Sequence, residues 1–273
     1  MKLKLTYTFL VLCAVVFFYS SCKKAAVNTP KTDGTDYKAL SSQVATTFYG
    51  SITGKYSAID VSKGINSPFK TNATHGGLTT YSVAPLCGFV IDTSYSYEVR
   101  NSGPNPIVDT VKDYSGNFHF VYTCDAGVVN GYTVKTKAFY QERSFTYVFN
   151  DTLSQNYTVK ALDETFKLVS MDGSIAADQR QNFIQGEYGN LFTSTYKLTG
   201  LKVKITSGIA DVIAGSATFH IKTVQITLVP PQYWQRVEYD GTIVYLGNHK
   251  ARLTINPGHV YIVDLVTGIA TPV

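Results

Sequence analysis

Asn117-Phe118-His119-Phe120-Val121-Tyr122-Thr123-Cys124 decides the fold class, because its aromatic residues fall on every second position. Side chains of a β-strand alternate between two faces, so Phe118, Phe120, Tyr122 and Cys124 share one face and His119 takes the other. The same period of two recurs on both sides of this stretch. Twenty Tyr and fifteen Phe, with abundant Thr and Val, favour strands over helices. Hydrophobic residues make up 44% of the 273, enough for a large core, whereas charged residues at 16% fall below the usual quarter.

Working outward, period-two segments are expected over residues 78–84, 87–91, 95–100, 117–124, 132–140, 144–150, 157–161 and 165–171. Residues 66–77 read as a loop, and Asn101-Ser102-Gly103-Pro104-Asn105-Pro106 is a break. Asp172-Gly173 closes the last of these strands, and residues 176–192 form a short helix or a loop. Strands resume over 195–199, 201–206 and 217–229. In the last of these, Phe219 and Ile221 lie on one parity and Val224, Ile226 and Leu228 on the other, so a bulge near Thr223 is expected. Pro230-Pro231 ends that strand. Asp240-Gly241 has the form of a two-residue hairpin turn between 234–239 and 242–246. Residues 251–255 and 260–265 pair across Asn256-Pro257-Gly258.

Residues 36–49 carry the helical signal. Leu40, Val44 and Phe48 recur every fourth position, with Thr35 or Asp36 as cap and Gly50 at the C′ position. The expected fold is mostly β: antiparallel sheets, as a sandwich or a curved open sheet, with one N-terminal amphipathic helix. The alternative is an α+β open half-barrel, similar to periplasmic lipoprotein carriers. Ser115-Gly116-Asn117-Phe118-His119-Phe120 echoes the segment from Gly215 to Ile221, and Asp172-Gly173 echoes Asp240-Gly241. Two related sub-sheets, about 36–175 and 195–273, are one reading of that echo; chance similarity between β-rich segments is the other.

The first residues specify an address. Lys2 and Lys4 precede an apolar run from Leu5 to Tyr19, which ends in Tyr19-Ser20-Ser21-Cys22-Lys23-Lys24. That order is a secretory signal: basic start, apolar core, small-residue cleavage site. A membrane-spanning helix needs about 20 apolar residues, more than this run holds. An ordinary signal peptide or an uncleaved anchor is the competing reading. The small residues before Cys22 resemble the lipobox of bacterial lipoproteins, and Ser-Cys-Lys-Lys resembles the form common in Bacteroidetes. The resemblance implies a signal peptide over 1–21, acylation of Cys22, a flexible tether over 22–35 and a β-rich domain over 36–273. It implies an outer-membrane lipoprotein of the cell envelope, anchored through its acylated N-terminus. Surface-directed members carry acidic residues after the cysteine. Lys-Lys-Ala-Ala stands there instead, which favours a periplasm-facing protein.

With Cys13 in the signal and Cys22 acylated, Cys87 and Cys124 remain. In an oxidising compartment they are a disulfide pair, and strand parity sends both toward the core. Two buried reduced thiols are the alternative. Asp109-Thr110-Val111 and Asp151-Thr152-Leu153 resemble the short sites at which Bacteroidetes O-glycosylate exported proteins. Thr110 and Thr152 are therefore candidate acceptors, both expected near strand ends or loops.

No coherent catalytic set emerges, and the expectation is a non-enzyme with no cofactor and no metal site. His119 and His220 follow Phe on strands and face solvent, with no ligand at metal spacing. His75 lies in a loop, and His249 and His259 flank a hairpin as surface residues. Ser194-Thr195-Tyr196-Lys197 has acyl-enzyme spacing but sits on a strand. Gly50-Ser51-Ile52-Thr53-Gly54-Lys55 is one residue short of a phosphate loop. The net charge is +5, or +3 once Lys2 and Lys4 leave with a signal, too mild for a nucleic-acid partner. The leading expectation is a lipid-anchored module that binds or scaffolds an envelope component. A carrier for a lipid or other apolar ligand and a carbohydrate-binding accessory protein using Tyr and Trp234 are the alternatives.

Overall fold

The computed structural model describes residues 36–57, 59–65, 86–101, 110–183, 188–227 and 233–273. The signal peptide, Cys22, the tether and the strand expected over 78–84 lie outside the described residues.

Among the described residues, one α-helix and eleven strands follow in chain order. The helix α1 (Tyr37–Ile52) leads through a 3-10 turn (Val61–Lys63) into β1 (Val90–Asn101) and β2 (Thr110–Asp125). Then come β3 (Val128–Arg143), β4 (Tyr147–Ala161), β5 (Leu168–Phe183), β6 (Tyr188–Thr206), β7 (Ile209–Thr227) and β8 (Tyr233–Gly247). Three shorter strands close the chain: β9 (Lys250–Ile255), β10 (His259–Asp264) and β11 (Ala270–Pro272). Every strand pairs antiparallel with its neighbour in sequence, giving a single open sheet in the order β1 to β11. The described strands of the two expected sub-sheets, within 36–175 and 195–273, thus belong to one sheet, joined through the pairing of β5 with β6. The curved open sheet with a single helix is the architecture that the patterning predicts.

The strands are longer than their apolar runs, because polar residues also occupy the sheet. Of residues 176–192, expected as helix or loop, 176–183 are instead the second half of β5 and 188–192 the start of β6. Gln and Asn there sit in the ladder, since pairing with a neighbour overrides weak local preference. The hairpin expected at Asp240-Gly241 does not exist: β8 runs straight through it. Gly241 is required there by packing, for a Cβ would lie 2.2 Å from the Phe219 ring. The bulge expected near Thr223 is also absent from the register. Val224 and Ile226 simply face outward, and the nearest irregularities fall elsewhere, at Thr199 to Val203 of β6, Met171 to Gly173 of β5 and Tyr245 to Gly247 of β8.

Alternation along each strand creates two unlike faces. The inner face carries Phe120, Tyr132, Leu153, Ile175, Tyr196, Phe219 and Ile243, all buried. Against it lies α1, whose Val44, Ala45, Phe48 and Ile52 are 0% exposed. The helix runs to Ile52 and includes Gly50, where a Cβ would press on Tyr56 and Lys55 at 3.2–3.3 Å. Its Ser and Thr residues are tolerated inside because their hydroxyls donate to carbonyls one turn back, as from Ser41 to Tyr37 at 2.8 Å and Ser51 to Thr47 at 2.7 Å. Three strands then grip the helix, two of them through its backbone. Tyr196 donates to the Val44 carbonyl at 3.0 Å, Gln155 to that of Ser51 at 2.7 Å, and Tyr49 of the helix donates to Ala210 at 2.8 Å.

Cys87 and Cys124 form a disulfide with their Cα atoms 5.6 Å apart, within the range such a bond needs. It does not lie in the core. Both residues are exposed at the end of the sheet, where β2 slips register between Thr123 and Cys124. That slip breaks the parity that would have sent Cys124 inward.

Candidate functional site

The outer face of the sheet carries the described depressions. Two adjoining hollows of about 560 and 770 Å³ lie there, sharing Ser174, Thr195 and Tyr196 as lining. Together they form one groove running across the strands from β1 to β8.

Cross-strand register builds the floor. Asp92, His119, Lys135, Asn156, Ser174 and Lys197 stand opposite one another on six successive strands. A second line, two residues along each strand, holds Asn117, Lys137, Ser154, Ala176, Thr195, His220 and Asp240. Nearly all of these side chains are polar, and all are exposed or half-buried. The aromatic residues that line the hollows, Phe118, Tyr196 and Phe219, are buried and belong to the inner face.

A histidine–aspartate couple marks each end. His119 Nδ1 lies 3.5 Å from Asp92, and His220 Nδ1 lies 2.9 Å from Asp240. The solvent-facing placement read from parity is correct for both histidines. Their partners come from the neighbouring strand, however, and register across strands cannot be read from spacing within one strand. Among the described residues no three His, Cys, Asp or Glu side chains converge as a metal site.

The inner face holds a smaller polar set beside the helix. Asp151 is 2% exposed; its Oδ2 accepts from Gln179 at 3.3 Å, while Oδ1 has no hydrogen bond among the described residues. Burial pushes its carboxyl up to about 6, aided by the Asp178 charge and opposed by the Gln179 bond and Lys55. Nearby, Tyr97 stacks on Tyr114 at 4.7 Å, and Tyr114 leans on Tyr140 at 4.8 Å. Glu142 accepts from the hydroxyls of Tyr140 and Tyr147, the latter at 2.7 Å. Burial alone would raise the Glu142 carboxyl, yet these two bonds and the charges of Lys112 and Lys55 hold it below the usual range.

The remaining candidates are dispersed. Thr110 opens β2, half-buried. Thr152 is mid-strand in β4, opposite Phe139 and Asp178, not near a strand end, because residues 144–150 and 157–161 are one continuous element. Ser194 is buried on the inner face while Lys197 points outward, so the Ser-x-x-Lys pair is split by the sheet. Gly50 to Lys55 stands at the C-terminus of α1, the wrong end of a helix for phosphate. His259 is no loose surface residue: it stacks on Tyr37 at 3.7 Å. His249 is half-buried, 3.8 Å from Asp211. His75 lies outside the described residues. Trp234 is 69% exposed on the outer face beside its cross-strand partner Ile226, at the far end of β8 from the groove's Asp240.

No family model matches the chain, and no curated protein or solved structure shows significant similarity to it.

Proposed function

We propose that this chain is a lipid-anchored, non-enzymatic binding module of the cell envelope, and that it holds an extended hydrophilic ligand, a glycan, across the outer face of its sheet. The observation that carries this reading is the row of hydroxyl, amide and charged side chains, from Asp92 to Asp240, that lines the two adjoining hollows. Hydroxyl and amide side chains such as Asn117, Ser154, Asn156, Ser174 and Thr195 supply both donors and acceptors along its floor. A ligand rich in hydroxyls satisfies them; an acyl chain would leave them unpaired. The inner face, where a carrier of the half-barrel type would hold an apolar ligand, is occupied by the side chains of α1. The anchor belongs to Cys22, and the tether from 22 to 35 would hold the groove away from the bilayer.

Two measurements test this. Envelope polysaccharide from the native host should be retained by the immobilised chain, and filling the groove with Ala176→Leu plus Thr195→Leu should abolish retention. Equal retention by the folded double variant overturns the groove as the binding site. For the anchor, Cys22→Ala should move the protein from the membrane to the soluble fraction. Full retention in membranes removes the lipoprotein reading.

A further inference from the structure

Most side chains that line the groove are polar, and some of them carry charge. Lys135, Lys137 and Lys197 all line it and all are exposed. None of the three has a carboxylate within 4.0 Å among the described residues. Among the described residues the acidic side chains lining the groove are Asp92 and Asp240, one at each end and each beside a histidine. The central stretch therefore carries positive charge between two histidine–aspartate couples. Lys135 and Lys197 stand on one cross-strand line with Asn156 and Ser174 between them, roughly 14 Å apart at strand spacing. Lys137 lies one line over, roughly 7 Å along β3 from Lys135.

Resting on the glycan reading above, we infer that the ligand is an acidic polysaccharide whose carboxylates lie against Lys135, Lys137 and Lys197 while its hydroxyls meet the Ser, Thr and Asn side chains between them. Charge separated by neutral donors and acceptors matches a polymer that carries one anion per sugar or per few sugars. A single-stranded nucleic acid fits less well. Such ligands are held by aromatic stacking as well as charge, and every Phe and Tyr lining the groove is buried on the opposite face.

The test is a titration of the full chain in detergent at low salt with polygalacturonate, with the same polymer after reduction of its carboxyl groups, and with single-stranded oligothymidylate of matched charge. Exposed ion pairs are weak singly, so three acting together should make polygalacturonate binding about ten- to a hundredfold tighter than binding of the reduced polymer. Lys135→Gln/Lys137→Gln/Lys197→Gln should lose that margin. Lys160→Gln/Lys202→Gln/Lys204→Gln, with the same charge change outside the groove, should bind within about twofold of the parent. Added salt should erase the preference as the Debye length falls from about 30 Å to about 8 Å. Equal binding of charged and reduced polymer overturns the acidic ligand and leaves the groove standing. Equal loss in both triple variants overturns the groove as well. Tighter binding of oligothymidylate, or no binding of polygalacturonate, overturns the inference.

Discussion

The two faces of this sheet are made by the same strands and differ in almost every respect. On β4, Leu153, Tyr157 and Val159 are sealed against the interior, while Ser154 and Asn156, their immediate neighbours, line a groove open to water. The inner face is apolar and filled by α1. The outer face is hydroxyl- and lysine-bearing and filled by no described segment. A period of two thus lets one backbone ladder build a stable core and a polar recognition surface, with neither function constraining the other's residues. Substitutions should therefore act on stability from one side and on binding from the other.

The sharpest break in that division would come from the centre of the inner face. Phe48 packs between Tyr196 and Tyr245, with ring centroids 5.6 and 5.3 Å away. Phe48→Ala should cost about 3–5 kcal/mol, read as a fall in the urea midpoint without a change in slope. A loss under about 1 kcal/mol would mean that α1 is not the plug of the sheet.

The disulfide comes next. Cys87 and Cys124 are 37 residues apart in sequence, and closing such a loop stabilises by about 4 kcal/mol on the chain-entropy model. Cys87→Ser should lower the melting temperature by several degrees and leave Cys124 open to alkylation in the folded protein, since that position is exposed. Alkylation at both cysteines of unreduced parent protein would show that the bond does not form.

Among the described residues, Asp151 is the one carboxylate that the inner face holds buried with an oxygen unpaired. Its folded value, about 6, stands above the ordinary 3.8, so the native state binds the proton more tightly than the unfolded chain. Stability is then greatest below about pH 4 and declines as pH rises from about 4 to 6, by up to about 3 kcal/mol. Asp151→Asn should remove that slope, leaving the variant more stable than the parent at pH 7.5 and equal to it near pH 4. Parallel stability curves for the two proteins would show that Asp151 titrates normally.

The smallest effect on stability belongs to the outer face. Replacing Lys135, Lys137 and Lys197 with Gln should each shift stability by no more than about 0.5 kcal/mol while changing ligand binding. A cooperative loss of folding would erase the division between the two faces.

Much of this architecture was readable from residue order alone. Alternation at Phe118, Phe120 and Tyr122, and the fourfold spacing of Leu40, Val44 and Phe48, separated strands from helix and assigned each strand's inner residues. Parity also put His119 and His220 in solvent. Reading failed where glycine was taken as punctuation. Asp240-Gly241 has the composition of a turn, yet Gly241 is there because the Phe219 ring leaves no room for a Cβ, and that ring arrives from another strand. It failed again at Cys124, where a slipped register reversed parity.

What the chain's own order determined is periodicity: the β-rich class, the face taken by side chains such as Phe118, Phe120 and His119 where the alternation is unbroken, and that one amphipathic helix must be covered. Those follow from 3.6 and 2.0 residues per repeat, properties of the local backbone. The tertiary structure alone decided which strand lies beside which and in what register. Register brought Asp92 to His119 and Asp240 to His220, and aligned Lys135 with Lys197 three strands away. No spacing along the sequence encodes those distances, because they are set by pairing between strands.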